Sequence, residues 1–391
     1  MLDGCERAVA EVDLEAIRHN VRRLMRELPP GAAHCAVVKA NGYGHGAVPA
    51  ARAALEAGST WLGVAAVAEA EELRAAGLTA PMLIFGALTS PELERAVAAG
   101  ADAVAWSAPF LAEARRLRAR LHVKFDSGMG RLGVPEDEAR ALCADAAREG
   151  LLVGLMSHFA TADEADTTFF EHQLGRFAAL AAELKALNPH LLCHTANSAA
   201  TLRGPRAHFD MVRNGIALYG LAPSNDDPFK DGLRPAMKLR SYVAGVRMVA
   251  PGDSVGYGRR FVAAEPTRIG IVPIGYADGV SRLLTNRGDV LVGGRRCRIT
   301  GTISMDQLTV RLPADWGRVG DEVVLFGAAG EGVGGSTNGG ARVRGPRDDA
   351  FGAPRILCEE VARLLQTINY EVVCDVSPRV VRRYRGAAPA G

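Results

Sequence analysis

The first two thirds of the chain alternate short apolar runs with longer amphipathic segments. The segments 66–76, 91–99, 135–149 and 169–187 are rich in Ala, Leu, Glu and Arg, and they predict helices. Apolar strands that alternate with helices indicate an α/β fold, and about eight such units predict a (β/α)8 barrel of the TIM type. The apolar runs lie at 35–38, 61–65, 82–85, 103–106, 121–125, 152–156, 191–193 and 209–212.

The pattern changes after about residue 235 and becomes typical of a mostly-β domain. Apolar and polar residues alternate, or β-branched residues cluster, at 238–249, 267–276, 289–292, 297–303, 307–312 and 322–326. We therefore predict a barrel domain at 1–235, which begins with an extra helix at 14–28, and a β-rich domain at 236–391. The second domain contains a Gly-rich loop at 327–354, and it closes with a helix at 356–366 and a strand around 370–376.

Composition excludes several classes of protein. Lys and Arg number 46 against 44 Asp and Glu, and the charges are spread along the chain, which argues against nucleic-acid binding. No apolar run reaches the ~18 residues of a membrane span, and the N-terminus lacks the order of a secretory signal. The seven cysteines are scattered without a CxxC pair. We therefore expect no disulfide scaffold, no metal site and a cytoplasmic location.

The strongest local feature is AVVKANGYGHG at 36–46, in which an apolar strand delivers Lys39 into a Gly-rich turn. Barrel enzymes keep their chemistry at this end of the strands. A lysine held against apolar walls is accessible as a neutral nucleophilic amine. The alternative interpretation is a solvated lysine that extends outward from a strand end.

The segment 128–133 matches GxGxxG, which by itself suggests dinucleotide binding. We reject that interpretation because the motif follows the fifth strand of eight, whereas the dinucleotide motif follows the first strand of a doubly wound domain. Arg131 would also crowd the turn. Lys124 lies upstream on the same strand and is a second lysine at the mouth of the barrel.

Three later strand ends carry His158, His194 with Ser198, and Arg213. Taken singly, each histidine reads as structural. Backbone N–H groups after strands seven and eight commonly form a phosphate site in barrels. A lysine and a phosphate cradle on one rim imply a phosphorylated aldehyde cofactor that is held as a Schiff base.

These motifs together resemble alanine racemase, the barrel-type family that depends on pyridoxal 5'-phosphate (PLP). The resemblance covers nearly the whole chain in order: AVVKANGYGHG, KFDSGMGRLGV, SHFATAD, HTANSAAT, RNGIALYG, VGYG, GYADG, SMDQ and INYEVVC. It implies racemisation of L- and D-alanine in a homodimer whose active sites are shared across the interface. It also implies a supply of D-alanine for peptidoglycan.

The resemblance implies a role for each matched position. Lys39 holds PLP and is one catalytic base, and Tyr257, from the partner subunit, is the opposite base. Arg213 contacts the pyridine nitrogen, and Lys124 matches a lysine that is often carbamylated. The implied cofactor-binding residues are Lys39, Tyr43, His158, Ser198, Arg213, Gly215, Ile216 and Tyr370, and the implied substrate-binding residues are Arg131, Tyr276, Met305 and Asp306.

Physical chemistry fits this assignment. Racemisation removes the Cα proton on one face and returns a proton on the other, so one base on each side is the simplest solution. Arginine does not give up its proton, so Arg213 would keep the pyridine nitrogen unprotonated. The carbanion would then be less delocalised into the ring, and racemisation would be favoured over transamination.

The chain departs from the family pattern at Ser304, where many relatives have cysteine, and at Thr302, which replaces the usual arginine. The Gly-rich loop is also longer than the usual connection. Three alternatives remain: a broad-specificity racemase, a PLP-dependent decarboxylase and a non-enzymatic PLP-binding barrel. Lys124 argues against a broad-specificity racemase, Arg213 argues against a decarboxylase, and the β domain argues against a non-enzymatic barrel. Tolerance for serine and a catabolic role remain open.

Overall fold

The computed structural model describes residues 6–329 and 353–386, and the chain divides into two compact units. The barrel unit is the continuous segment Leu14–Arg234. The β unit combines Met1–Asp13 with Pro235–Gly391, so that its first strand, β1 (Val9–Asp13), precedes the barrel in the chain. Within the two described ranges, no helix has both the length and the apolar character that a membrane crossing requires.

Eight parallel strands form the sheet of the barrel unit, in the order β8-β7-β6-β5-β4-β3-β2-β9. Hydrogen bonds from Asp210 N to Cys193 O (3.0 Å) and from Arg213 N to Ala196 O (2.9 Å) join the segments around the first and last strands of that order. The strands are β2 (Ala33–Val37), β3 (Trp61–Val64), β4 (Met82–Ile84), β5 (Asp102–Ala105), β6 (Leu121–Lys124), β7 (Leu152–Met156), β8 (Leu192–His194) and β9 (Met211–Asn214).

Helices connect these strands, and most of their large apolar side chains are buried. The alternation confirms the predicted (β/α)8 barrel, because each helix buries one apolar face while the strands between them are buried on both faces. The helices are α1 (Leu14–Met25), α2 (Lys39–Tyr43), α3 (Ala47–Glu56), α4 (Val67–Ala75), α5 (Ser90–Ala98), α6 (Ala108–Arg116), α7 (Glu136–Arg148), α8 (Thr168–Leu187) and α9 (Ser198–Arg203).

The β unit contains a large mixed sheet, a three-stranded sheet and a two-stranded hairpin among its described residues. The large sheet runs β16-β15-β18-β10-β1-β20, and the three-stranded sheet runs β11-β14-β17. The strands are β10 (Met237–Tyr242), β11 (Gly245–Val249), β12 (Ser254–Val255), β13 (Phe261–Val262), β14 (Thr267–Val272), β15 (Asp289–Val292), β16 (Arg295–Arg298), β17 (Leu308–Arg311), β18 (Glu322–Ala328), β19 (Arg355–Ile356) and β20 (Val381–Arg385); the helices are α10 (Cys358–Leu365) and α11 (Asn369–Cys374).

The structure corrects one predicted boundary and one predicted element. The barrel domain predicted at 1–235 loses β1, because this strand pairs with β10 on one side and β20 on the other and so completes the β unit's sheet. The strand predicted around 370–376 is the helix α11, in which Val372 and Val373 are buried. Packing of these two side chains overrides the β propensity of the valines. Most of the predicted Gly-rich loop, residues 330–352, lies outside the described residues.

Candidate active site

The turn after β2 determines where Lys39 stands at the C-terminal end of the barrel. Lys39 is half-buried and begins α2, in which Ala40, Asn41 and Tyr43 have φ angles of 51°, 52° and 51° and Gly42 has 61°. A left-handed helix costs roughly 1–2 kcal/mol for each non-glycine residue. This single left-handed turn therefore persists only where the surrounding contacts hold it.

Hydrogen bonds hold this turn at both of its ends. The backbone N–H of Gly42 donates to Val38 O at 2.9 Å, and that of Gly44 donates to Ala40 O at 3.0 Å. Glu69 of α4 accepts the N–H of Ala40 at 2.6 Å. The backbone on both sides of the lysine is thus anchored to the strand and to a neighbouring helix, so that the amine starts from a fixed point.

A cradle of N–H and hydroxyl groups lies where α9 and β9 meet. Ser198 is buried, and its Oγ accepts the N–H groups of Gly215 at 3.0 Å and Ala217 at 3.3 Å. Asn197 caps α9 through its side chain, so the Ser198 hydroxyl remains directed at this turn. The ring of Tyr43 lies so close to Gly215 that a Cβ there would stand 2.9 Å from the Tyr43 Cζ.

Arg213 on β9 is buried, and its four hydrogen bonds go to neutral acceptors. One terminal nitrogen contacts His194 Nδ1 at 2.7 Å. The other contacts the carbonyl oxygens of Ser157 at 2.8 Å and Thr195 at 3.1 Å, and His158 Nδ1 at 3.2 Å. Burial lowers the pKa of Arg213 to about 10, so the guanidinium still carries its charge at neutral pH. Burial and the charge of Arg213 lower the pKa of His158 well below its ordinary value.

Lys124, the last residue of β6, is buried near several cations. Burial, followed by the charges of Arg213 and Arg131, lowers the pKa of Lys124 to about 8. Asp126 opposes this shift, and Lys39 adds to it. A substantial fraction of Lys124 is therefore the neutral amine near pH 8, which is the form that can act as a nucleophile.

The GxGxxG segment is organised around Asp126 and not around a phosphate. Asp126 Oδ1 accepts the N–H groups of Gly128 at 2.9 Å, Met129 at 2.8 Å and Gly130 at 3.1 Å. These donors are the ones that a dinucleotide fingerprint would direct at a pyrophosphate. The contacts agree with the rejection of dinucleotide binding.

The remaining predicted residues lie in the β unit, and several are on its surface. Tyr257 is 72% exposed, Met305 is 51% exposed and Tyr276 is 43% exposed. Asp306 is exposed as well and forms an ion pair with Arg379, with Oδ1 2.6 Å from Nη2.

Backbone contacts hold the loops that carry these side chains. The N–H of Tyr276 donates to Ser304 O at 3.1 Å, and that of Ala277 donates to Met305 O at 3.0 Å, so the GYADG and SMDQ loops form one assembly. Thr302 Oγ1 donates to the carbonyl oxygen of Tyr257 at 2.6 Å. The exposed side chains therefore stand on a fixed backbone.

The structure brings the barrel residues of the prediction onto one rim: Lys39, Tyr43, Lys124, His158, Ser198, Arg213, Gly215 and Ile216. It describes Tyr257, Tyr276, Met305, Asp306 and Tyr370 within the β unit, the last on α11. Sequence reasoning missed His122, whose only signal is its i, i+2 spacing from Lys124 on one strand. In the described part of the chain, no three His, Cys, Asp or Glu side chains are placed to hold a metal.

Comparison with known proteins identifies the family. The family model for the alanine racemase N-terminal domain matches residues 12–223, and that for the C-terminal domain matches residues 236–337. The alanine racemase of Symbiobacterium thermophilum is 41% identical over 395 residues, which cover 98% of this chain and 99% of that protein.

Solved structures give the same result. The alanine racemase from the D-cycloserine producer Streptomyces lavendulae superposes with a TM-score of 0.85 at 40% identity, covering 98% of each chain. The alanine racemase from Bacillus anthracis with bound L-Ala-P gives 0.84 at 36% identity, covering 97% of this chain and 95% of that one. The chain therefore belongs to the alanine racemase family, and it is an enzyme, an isomerase that racemises alanine.

Proposed function

We propose that the enzyme racemises alanine with PLP by a two-base mechanism, in a homodimer whose active sites are shared across the interface. Lys39 supplies one base, and Tyr257 of the partner subunit supplies the other. The product, D-alanine, serves peptidoglycan synthesis in the cytoplasm. The observation that carries the proposal is the buried guanidinium of Arg213, which hydrogen-bonds to four neutral acceptors on the same rim as Lys39.

The barrel residues fit PLP on three separate counts. Lys39 presents a primary amine at a strand end, as an aldehyde requires. Ser198 and the turn at Gly215 bring N–H and hydroxyl groups together, and only a glycine fits beside Tyr43 there. Such groups at a turn after the last barrel strands suit a phosphate. Arg213 offers a donor, and not a carboxylate, to a ring nitrogen.

PLP, when bound, supplies a conjugated ring that withdraws electrons from Cα of the amino acid and so acidifies its proton. Lys39 Nζ and the hydroxyl of Tyr257 then take a proton from Cα on one face and return a proton on the other. Arg213 stays protonated and donates toward the ring nitrogen, which limits electron withdrawal and keeps proton return directed at Cα. His158 accepts a hydrogen bond from Arg213 as a neutral ring.

The exposure of Tyr257 supports the proposal that a second copy of the chain completes the site. A tyrosine hydroxyl, with an ordinary pKa of ~10, needs a cationic and partly desolvated setting to act as a base near neutral pH. Tyr257 is 72% exposed within its own chain. A partner's barrel rim, with its arginines and lysines, would provide that setting. Tyr276, Met305 and Asp306 would reach the substrate side in the same way.

We propose in addition that Lys124 is carbamylated. The neutral amine adds to carbon dioxide, a C–N bond forms, and one proton leaves the nitrogen. The product carboxylate would place a negative charge among Lys39, Arg131 and Arg213. Because the pKa of Lys124 is lowered to about 8, its reactive form grows as pH rises through that value. A ¹³C NMR signal from ¹³C-bicarbonate should follow the same rise and should be absent in Lys124→Ala.

Two measurements test the main proposal. Borohydride reduction of the yellow enzyme should fix one cofactor mass on Lys39, as read by peptide mass spectrometry, and Lys39→Ala should take up none. A chiral assay in D₂O should show interconversion of L- and D-alanine with deuterium at Cα. Cofactor retention without turnover would favour a PLP-binding protein, and released carbon dioxide would favour a decarboxylase. Rescue of a bacterial strain that requires D-alanine tests the biosynthetic role.

A further inference from the structure

A continuous line of hydrogen bonds crosses the interior of the barrel to Arg213. One terminal nitrogen of Arg213 lies 2.7 Å from His194 Nδ1, and His194 Nε2 lies 2.8 Å from His122 Nδ1. His122 Nε2 lies 3.2 Å from Asp102 Oδ2, and Arg120 Nε donates to Asp102 Oδ1 at 2.8 Å. All of these side chains except that of Arg120 are buried. Asp102 is the first residue of β5, and His194 is the last residue of β8.

The chemistry of the donors fixes the direction of every hydrogen bond in this line. A guanidinium only donates, so His194 Nδ1 must accept, and the proton of that ring must lie on Nε2. His122 Nδ1 then accepts from His194, so the proton of His122 lies on its own Nε2. Asp102 accepts that proton's hydrogen bond. Each histidine is therefore a neutral ring in a single tautomer, and every N–H in the line is directed toward Asp102.

The charges at the two ends agree with this arrangement. Burial raises the pKa of the Asp102 carboxyl, but hydrogen bonds from His122 and Arg120 outweigh that effect and hold the pKa below its ordinary value. Burial lowers the pKa of His122 more than Asp102 raises it. Burial and the charge of Arg213 hold the pKa of His194 well below its ordinary value. Two neutral rings thus separate a cation from a carboxylate.

The strands make room for these rings. A Cβ at Gly154 of β7 would stand 2.5 Å from His122 Nδ1, the atom that faces His194. The edge of the His122 ring also meets Trp61, with centroids 5.7 Å apart at 84°. His122 and Lys124 lie two residues apart on β6, so both face the same side of the strand.

We propose that Asp102 and His122 are positioning residues for Arg213. Through His194 they fix the orientation of the guanidinium and provide its counter-charge from two rings away. A carboxylate in direct contact would compete for the donors that Arg213 directs at the cofactor; the remote one does not. The link to catalysis rests on the proposed function, in which Arg213 faces the pyridine nitrogen, whereas the tautomers of the two histidines are independent of it.

Loss of the Asp102 carboxylate should weaken the preference of His122 and His194 for their Nε2–H tautomers. In Asp102→Leu the Nε2–H of His122 loses its acceptor, so the tautomers are held from the Arg213 end and no longer from both ends, and the other tautomer of both rings becomes accessible. His194 would then present an N–H to Arg213, and two donors facing each other repel. Asp102→Asn keeps an acceptor oxygen but removes the charge, so it should preserve the tautomers and show a smaller functional effect.

The experiment measures tautomers and reaction choice in the full-length holoenzyme. Nitrogen-15 NMR of histidine-labelled enzyme should show His122 and His194 as neutral Nε2–H rings in the parent protein and in Asp102→Asn, and a mixture in Asp102→Leu. Pyruvate formed per racemisation should rise about tenfold in Asp102→Leu, the change expected from one hydrogen bond to a charged group. His34→Leu is the matched control, since His34 is another buried barrel histidine and bonds to Ser59 and Asn214 instead.

Equal pyruvate formation in Asp102→Leu and in His34→Leu would overturn the positioning role, because it would mean that any buried histidine or carboxylate has the same effect. An Nδ1–H tautomer at His122 or His194 of the parent enzyme would overturn the assigned direction of these hydrogen bonds. Failure of the parent enzyme to bind PLP would contradict the proposed function alone, because the tautomers can be read without the cofactor. If Asp102→Leu folds poorly, Asp102→Asn still tests the proposal, because it should retain the Nε2–H tautomers of His122 and His194 and show a smaller rise in pyruvate formation.

Discussion

The two halves of the proposed site differ in how they are built. In the barrel unit the side chains are buried and fixed by direct hydrogen bonds, as Arg213 and Ser198 are. In the β unit the side chains of Tyr257 and Met305 are exposed, and only their backbone is held. In the proposed function the barrel would therefore supply polar groups in fixed positions to a cofactor, whereas the β unit would present its side chains to another surface.

The difference separates two tasks. Buried polar groups in fixed positions are costly to leave unpaired, so they bind one ligand geometry and reject others. Exposed groups gain a catalytic environment only when a second surface covers them. We therefore expect substitutions in the barrel to change cofactor binding or reaction choice, and substitutions in the β unit to change proton transfer with the cofactor retained.

The largest effect should come from Tyr257→Phe, which removes the base of the β unit and nothing else. Loss of a positioned acid or base lowers rates by about 10²- to 10⁴-fold, and we expect racemisation to fall by that range. The borohydride-fixed label on Lys39 should remain. In D₂O, Lys39 should still exchange the Cα proton of one enantiomer of alanine, although the other enantiomer no longer forms.

Equal loss of exchange from both enantiomers would contradict the assignment of one base to each face. The control is Tyr242→Phe, which removes the same hydroxyl from a half-buried tyrosine on β10 of the β unit. It should leave both exchange rates unchanged.

The next largest effect should come from Arg213→Glu, in the barrel. A carboxylate would keep the pyridine nitrogen protonated, strengthen electron withdrawal into the ring and promote transamination. A barrier change of about 1.4 kcal/mol is tenfold in rate, so we expect pyruvate formed per racemisation to rise at least about tenfold. An unchanged ratio of the two reactions would refute the role of Arg213. Arg213→Lys, which keeps the positive charge, is the control and should not raise the ratio.

Strand-end residues were predictable from sequence because a parallel barrel gathers them on one rim whatever its detailed geometry. Lys39, Lys124, Ser198 and Arg213 are of this kind. His122 was not predictable, since its partners Asp102 and His194 lie on other strands and the contact depends on the tilt and register of the sheet. The left-handed turn after Lys39 was hidden as well, because it is held by tertiary contacts against the preference of its residues.

The strand β1 shows the same limit at the level of domains. Its sequence is equally suited to either unit, and only pairing with β10 and β20 decides that it completes the β unit. Sequence periodicity identifies an element, but hydrogen-bond partners that are distant in the chain decide where it belongs.

Gly215→Ala should have a smaller effect, confined to the cofactor. A Cβ at this position would stand 2.9 Å from Tyr43 Cζ, so either the ring of Tyr43 or the turn at Gly215 must move. We expect the dissociation constant of PLP to rise about tenfold, the equivalent of about 1.4 kcal/mol, with little change in the rate of the loaded enzyme. Equilibrium dialysis and tyrosine fluorescence would measure the dissociation constant of PLP.

The matched control is Gly175→Ala on α8, where an added Cβ meets nothing within 4 Å. Alanine is favoured over glycine in a helix interior, so this variant should be as stable as the parent enzyme or more so. Similar PLP affinity in Gly175→Ala and Gly215→Ala would show that the turn at Gly215 does not hold the phosphate.

The smallest effect should come from Thr302→Val in the β unit, and it bears most directly on how an exposed base is positioned. Thr302 stands where the family usually has arginine, and its hydroxyl donates to the Tyr257 carbonyl at 2.6 Å. A net hydrogen bond contributes about 1 kcal/mol, so its loss should lower kcat about fivefold with PLP affinity unchanged. Thr302→Ser keeps the hydroxyl and should restore most of the rate. If valine and serine behaved alike, the hydrogen bond from Thr302 would not position Tyr257, and the order of this exposed base would have to come from other contacts.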